Sequence, residues 1–138
     1  AQVMINFANG AKGMLWTSVM ARGGVYGLRV RVFGTKGSLE WVQNDPGYLR
    51  HNPAKGAVRL LERGFHNAEF SKNFSRIKFG HPEGYLDAFA NIYKEFASSL
   101  KNKTKKRYFY PNEDEGFETA KFINACKISS KQKKWVKI

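Results

Sequence analysis

The chain has 138 residues, with 42% hydrophobic and 14% aromatic residues, and its 24 basic and 11 acidic residues give a formal net charge of +13. This length and composition indicate one globular domain with a buried core. No apolar run reaches the roughly 20 residues of a membrane-spanning helix, and no charged-then-apolar leader opens the chain, so we expect neither a transmembrane protein nor a secretory signal.

The cysteine content bounds the redox chemistry. With one cysteine, Cys126, no internal disulfide is possible, which is compatible with a reducing, cytoplasmic compartment. Cys126 follows Phe122 and Ile123 at helical spacing, and we interpret it as a buried structural thiol. Because no cysteine or histidine neighbours have the spacing of metal ligands, the sequence predicts no metal site.

Residues 1 to about 62 alternate between apolar and polar side chains with the period of two that is typical of β-strands. Asn9-Gly10 is a hairpin signal between the first two strands. The glycines of the Gly34 to Gly37 turn tolerate positive φ between the next two. The alternation predicts strands over residues 1–8, 14–20, 28–33 and 39–42, and weaker strands over 48–51 and 57–62.

A helix is predicted from Pro82 to about Leu100. Pro82 suits a first helical turn, and Glu83 places negative charge at the positive end of the helix dipole. One helical face carries the apolar residues Tyr85, Phe89, Ile92, Phe96 and Leu100. The preceding segment, 63–80, has no clean period but several aromatic residues, so we predict an irregular loop pinned to its surroundings.

A second helix is predicted after a basic run that includes Lys101 and Arg107. Asn112 is suited to cap this helix, and the acidic residues 113–115 fill its first turn. Residues 135–138 are predicted to form a final strand. The elements together predict an α+β domain spanning 1–138, with one mostly antiparallel, open-faced sheet and two helices packed on one face.

The predicted sheet has apolar residues on both alternations of segments 14–20 and 28–33. A sheet that is apolar on both faces requires cover over the face that the helices leave open. Another domain or another subunit can supply that cover. We therefore predict self-association through the open face, with a dimer as the simplest homo-oligomer.

Three segments carry a resemblance to a known family. Gly80 to Phe96 resembles the helix entry in the C-terminal domain of the Gfo/Idh/MocA family of NAD(P)-dependent sugar oxidoreductases. Gly27 to Trp41 resembles that family's strand, Gly-x-x-Gly turn and strand, and Phe7 to Ser18 fits the preceding hairpin. The order and spacing of the three match the family and cover most of the chain. The resemblance implies that the open sheet face pairs subunits.

The signature of a nucleotide-binding domain is absent from the sequence. There is no Gly-x-Gly-x-x-Gly motif, and Gly34 and Gly37 stand between two strands instead of between a strand and a helix. The family's Glu-Lys-Pro motif and its aspartate and histidine acid/base pair are also missing. We therefore expect a piece of a larger oxidoreductase that lacks the Rossmann half, with no catalytic residue and no cofactor of its own, NAD or NADP being bound by the intact parent.

Four residues are candidates for binding a sugar or polyol. His81 lies on a loop at the mouth of the predicted helix, where its imidazole can donate to or accept from a hydroxyl. Trp16 offers a flat apolar face to a sugar ring. Arg22 lies on a loop, and Tyr85 has a phenol near the helix mouth. For Trp16 and Tyr85 a core role is the stronger alternative, and for Arg22 and His81 the alternative is a solvated loop position.

The high positive charge leaves two other functions open. A basic surface attracts phosphate polyanions, so a polyanion or nucleic-acid binding module is the alternative to the oxidoreductase domain. Nucleic acid is the weaker partner, because aromatic residues interleave poorly with the basic runs and no RNA- or DNA-binding motif appears. A stand-alone assembly domain is the third possibility. The charge itself can also be a solvated surface, or be balanced by an acidic domain that is missing from this chain.

Overall fold

The computed structural model describes residues 1–24, 27–64, 73–78, 80–102 and 109–138. These residues form the predicted α+β fold, with every strand pairing antiparallel. The strands make two sheets where one was predicted, β1–β2 and β3–β4–β5–β6. The elements are β1 (Gln2–Asn6), β2 (Lys12–Trp16), β3 (Arg29–Gly34), β4 (Gly37–Val42), β5 (Tyr48–Pro53), β6 (Arg59–Glu62), α1 (Tyr85–Lys101) and α2 (Glu113–Gln132).

The chain divides into two compact units, Ala1–Gly24 with Pro111–Ile138, and Val25–Tyr110. The first unit contains the β1–β2 hairpin, in which Asn6 pairs with Lys12 and Gly10 adopts a φ of 88°. This confirms the turn predicted at Asn9-Gly10. β2 ends at Trp16, earlier than the predicted 14–20, because residues 17–20 have no partner strand among the described residues.

Helix α2 belongs to the first unit and begins where the sequence predicted. The Asn112 side chain accepts a hydrogen bond from the Glu115 backbone N–H at 2.9 Å, and the Glu115 carboxylate accepts one from the Asn112 N–H at 3.1 Å. This reciprocal capping satisfies two donors that the helix itself leaves unpaired. The final strand predicted over 135–138 is wrong, because these residues form no strand and the chain turns at Lys133 with a φ of 52°. The Cys126 thiol is half-buried.

The four-stranded sheet of the second unit has two faces of different chemistry. The strand register places Val30 opposite Trp41, and Trp41 opposite Leu49, so these side chains share one apolar face. The other face carries the row Arg31, Glu40 and Arg50. The prediction that both faces of the sheet are apolar therefore needs correction. On the second face, β3 contributes Arg29 and Arg31 and is apolar only at Phe33.

Helix α1 begins at Tyr85, three residues after the predicted start at Pro82. Its polar side makes hydrogen bonds: Asn91 Nδ2 donates to the Phe74 carbonyl at 2.7 Å, and Glu95 accepts from the Phe109 N–H at 3.3 Å. On its apolar stripe the Phe96 ring packs edge-on against Tyr110 at a centroid distance of 5.6 Å. The apolar stripe that the sequence predicted is 40–65% exposed along its length. An apolar helix face of this width requires cover from outside the described residues.

Two sequence predictions fall largely outside the described residues. The aromatic loop predicted over 63–80 includes residues 65–72 and 79, which the structure does not describe. The basic run is described only at Lys101, so its other members, within 103–108, carry no structural statement.

Two glycines should respond in opposite directions to alanine. A Cβ at Gly37 would lie 2.3 Å from the Asn52 carbonyl oxygen, and its φ is +140°, whereas Gly116 has open space around it in α2. We expect Gly37→Ala to lower the free energy of unfolding by about 2 kcal/mol or more. Gly116→Ala should raise it by about 0.5–1 kcal/mol. Urea denaturation of both variants measures the difference, and equal effects would contradict the described backbone.

Candidate functional site

A pocket of about 180 Å³ lies in the second unit beside the loop that precedes α1. Three segments line it: the turn between β4 and β5 (45–48), the end of β6 with the next residue (62–63), and the loop 80–83. These segments are far apart in sequence. Their juxtaposition therefore depends on contacts between them.

Two hydrogen bonds hold the β4–β5 turn in place. The Trp41 indole N–H donates to the Pro46 carbonyl at 3.2 Å, and the Tyr48 N–H donates to the Asp45 carbonyl at 3.3 Å. Trp41 lies on the apolar face of β4 and is half-buried. Its ring thus supports the turn while its polar edge satisfies a turn carbonyl.

Arg63 joins all three segments of the pocket. Its backbone N–H donates to the Gly47 carbonyl at 2.7 Å, which ties the β4–β5 turn to the end of β6. Its Nη2 donates to the His81 carbonyl at 2.9 Å. Its Nη1 lies 2.9 Å from Glu83 Oε2 in an ion pair. One side chain thereby holds the loop against the sheet at two points.

Glu83 does not act as predicted. The sequence analysis placed it in the first turn of the helix, but α1 begins at Tyr85, and the Glu83 side chain is 7% exposed in the ion pair with Arg63. Its Oε1 accepts hydrogen bonds from the backbone N–H groups of Arg76 and Ile77 at 2.5 and 2.6 Å. Asp87 serves the helix terminus instead, by accepting from the Gly84 N–H at 3.0 Å.

His81 is exposed at the pocket, and its Nδ1 lies 3.2 Å from the Lys78 carbonyl oxygen. Because a carbonyl only accepts hydrogen bonds, this contact assigns the imidazole hydrogen to Nδ1. In the neutral ring Nε2 then carries the lone pair, which suits it to accept from a hydroxyl group.

The other three predicted site residues lie elsewhere. Tyr85 is the first residue of α1, is 63% exposed and contacts the Phe89 ring at a centroid distance of 4.9 Å. Trp16 ends β2 and is 62% exposed, and Arg22 lies in an exposed turn, both in the first unit. Of the four, His81 is the one that lines the pocket.

Sequence reasoning missed Arg63 and misassigned Glu83. The two residues are 20 positions apart, and the intervening segment has no regular period. No local spacing rule connects such residues, because their contact is created by the return of the loop to the sheet. The sequence signal that could have found Arg63 was its position directly after a predicted strand.

The residues present do not fit a dinucleotide. Pyrophosphate recognition requires a glycine-rich turn between a strand and a helix. In the described part of the chain all pairings are antiparallel, and Gly34 and Gly37 close a strand-to-strand turn. Within the same residues no cluster of three or more His, Cys, Asp or Glu side chains offers a metal site. None of the described helices has the length and hydropathy to span a bilayer.

Two of the ion pairs among the described residues provide a test of the pocket's construction. Glu83→Gln leaves the 19%-exposed Arg63 without its counter-charge, and we expect about 3 kcal/mol of lost stability. Glu118→Gln removes the exposed pair with Lys121, where about 0.5 kcal/mol or less is expected. Denaturant titrations of both variants give the comparison. Equal and small losses would mean that Glu83 does not anchor the loop.

The comparisons with known proteins identify a family of oxidoreductases. The family model described as "Oxidoreductase family, C-terminal alpha/beta domain" matches residues 1–138. An uncharacterized oxidoreductase, YfiI, from Bacillus subtilis (strain 168) is 32% identical over 139 residues, covering 96% of this chain and 35% of that protein. The chain thus spans about a third of this curated relative's length.

Solved structures of oxidoreductases also resemble this chain. An oxidoreductase from Sinorhizobium meliloti superposes with a TM-score of 0.89 at 44% identity, covering 99% of this chain and 40% of that one. An inositol dehydrogenase homolog from Azotobacter vinelandii, complexed with NADH and myo-inositol, gives a TM-score of 0.68 at 33% identity over 72% of this chain and 26% of that one. The chain belongs to the Gfo/Idh/MocA oxidoreductase family, whose C-terminal α/β domain it matches along its whole length.

Proposed function

We propose that residues 1–138 are the C-terminal substrate-binding and oligomerisation domain of an NAD(P)-dependent oxidoreductase that acts on a sugar or polyol. The family membership supports the reaction class. The A. vinelandii homolog, which was solved with NADH and myo-inositol, supports a polyol substrate. In the intact enzyme a nicotinamide bound by the rest of the protein exchanges hydride with a substrate carbon. The residues of this chain bind and orient the substrate.

The observation that carries the proposal is the placement of His81 at a pocket with fixed walls. An imidazole can donate to or accept from a hydroxyl group, and the His81 ring is exposed at the pocket, where its Nδ1 lies 3.2 Å from the Lys78 carbonyl oxygen. The loop is held by Arg63 and Glu83, so the ring has a defined position. A preorganised hydrogen-bonding group orients a polyol at little entropic cost, which is the main contribution that a binding domain makes to hydride transfer.

The charge of the pocket favours a neutral substrate. Arg63 and Glu83 neutralise each other, which leaves the carboxylates of Asp45 and Glu62 among the lining residues. Carboxylates accept hydrogen bonds from hydroxyl groups and repel phosphates. A sugar or polyol therefore fits better than a phosphorylated ligand, and better than the polyanion that the net charge of +13 allowed.

The chain on its own should bind neither NADH nor NADPH tightly and should oxidise no polyol. The reason is that the described residues contain no pyrophosphate-binding turn. Isothermal titration of the purified chain with each nucleotide measures the affinity. A micromolar dissociation constant would contradict the proposal that the rest of the protein binds the nucleotide.

In the intact oxidoreductase, His81→Ala should reduce kcat/KM for the polyol by roughly tenfold or more, equivalent to about 1.4 kcal/mol of lost transition-state contact. Thermal stability should change little, because substitution of an exposed side chain usually costs within about 0.5 kcal/mol. Nucleotide affinity should be unchanged.

Lys36→Ala is the control, because Lys36 is an exposed residue of the β3–β4 turn and does not line the pocket. The assays are steady-state kinetics and thermal melting. A destabilised His81→Ala protein with normal kinetics once folded would show that His81 is structural.

We further propose that the apolar face of the four-stranded sheet pairs subunits. Val30, Val32 and Leu39 on this face are 46%, 59% and 40% exposed. Trp41 shares the face but is half-buried and bonded to Pro46, so Val32 is the better probe. Burial of such residues against a second copy would remove apolar area from water.

Sedimentation velocity of the intact oxidoreductase at micromolar concentration should show a dimer or larger species that Val32→Glu weakens. Val58→Glu, at a valine just before β6 that is likewise 59% exposed, is the matched control and should leave assembly intact. A monomeric protein that neither substitution changes in size or solubility would count against the sheet interface.

A further inference from the structure

We propose that Arg63 is a positioning residue for substrate binding, and that it sets the place of the His81 ring by clamping the loop 80–83. This inference rests on the role proposed above for His81. It assigns a function to a residue that contacts no substrate in the proposal and that lies outside the motifs in the sequence.

The clamp works through three separate groups of one residue. The Arg63 backbone N–H fixes its position relative to Gly47 in the β4–β5 turn. Nη2 then reaches the carbonyl of His81, and Nη1 reaches the carboxylate of Glu83, both at 2.9 Å. Two contacts two residues apart hold the His81 backbone in both position and direction, which a single contact would not do.

The anchor at the other end is the Glu83 carboxylate. It accepts from the backbone of Arg76 and Ile77, so it fixes the segment on the opposite side of His81 in the chain. The Lys78 carbonyl, which receives the His81 Nδ1 hydrogen, lies one residue beyond Ile77. Arg63 and Glu83 together thus fix both the backbone that carries the ring and the acceptor that orients it.

Only a guanidinium meets these geometric demands. It is planar and presents N–H groups in a fixed fork, so it can serve a carboxylate and a carbonyl at once. A lysine at the same position keeps the charge opposite Glu83 but is a point donor on a flexible stem. Arg63→Lys should therefore keep the ion pair and lose the bond to the His81 carbonyl.

The first measurement reads the loop without any substrate. Backbone amide hydrogen–deuterium exchange, followed by mass spectrometry of peptides, reports local opening of each segment in the intact oxidoreductase. We expect Arg63→Lys to accelerate exchange of the peptide that contains Arg76, Ile77 and His81 by roughly twofold or more, because the Arg76 and Ile77 amides are bonded to Glu83 and local opening becomes easier. A peptide from β5 is the internal reference and should not change.

The matched control is Arg29→Lys, because Arg29 is 61% exposed in its ion pair with Glu40 on the charged face of the sheet. It should leave exchange of the peptide that contains His81 unchanged. If Arg63→Lys fails to fold, the double variant Arg63→Gln/Glu83→Gln replaces it, since it leaves no unpaired buried charge and still cannot bridge both partners. The same acceleration is expected there.

The second measurement is a double-mutant cycle on kcat/KM. Arg63→Lys should lower kcat/KM for the polyol by roughly tenfold in the parent enzyme, through misplacement of the His81 ring. In a His81→Ala background the same substitution should change kcat/KM by less than about twofold, because its effect passes through the missing ring. Additive losses would show that Arg63 acts independently of His81 and overturn the proposal.

The two measurements separate this inference from the proposed function. Unchanged exchange of the peptide that contains His81 in the Arg63 variants overturns the clamp, whatever the kinetics show. Accelerated exchange together with normal kinetics in His81→Ala supports the clamp and removes His81 from the substrate site. Accelerated exchange together with a non-additive cycle supports both.

Discussion

The pocket depends on the three bonds of Arg63. A backbone hydrogen bond to Gly47, a side-chain hydrogen bond to His81 and an ion pair with Glu83 connect a sheet turn, a strand end and a loop. Without the guanidinium, the Glu83 carboxylate, which is 7% exposed, would lack its counter-charge. Leaving a buried charge without its partner costs much free energy of folding. The ion pair therefore constrains the loop even if the pair itself adds little net stability.

A second constraint is the excess of apolar surface. Helix α1 makes hydrogen bonds through Asn91, Glu95 and Ser99 and one ring contact, from Phe96 to Tyr110, while its apolar stripe remains 40–65% exposed. Val30 and Val32 are likewise exposed on the sheet. Apolar faces of this extent mark interfaces. They accord with a chain that spans 26–40% of the length of the relatives with which it was compared.

Local chemistry made much of the fold predictable. The cap at Asn112, the hairpin at Asn9-Gly10 and the turn at Gly34 to Gly37 each depend on neighbouring residues, and all three appear as expected. The α+β class follows from the change of period between the two halves of the chain. The family resemblance came from Phe7 to Ser18, Gly27 to Trp41 and Gly80 to Phe96, and it is confirmed by the family model.

Non-local contacts were beyond sequence reasoning. Glu83 looked like a helix N-terminal charge because it follows Pro82, but its partner Arg63 approaches from another part of the sheet. The charged positions Arg29 and Arg31 of β3 were readable from the sequence, and the strand register adds that Arg31 lies opposite Glu40. The last residues carry strand-like side chains, yet they form no strand. Strand formation and the partner of Glu83 both depend on residues distant in sequence.

The most direct measurement is a crystal structure of the intact oxidoreductase with a nicotinamide cofactor and a polyol such as myo-inositol. The account predicts a substrate hydroxyl within hydrogen-bonding distance of the His81 ring, with Arg63 bonded to both the His81 carbonyl and Glu83. A polyol bound with no contact to residues 80–83, or a loop held without Arg63, would contradict it.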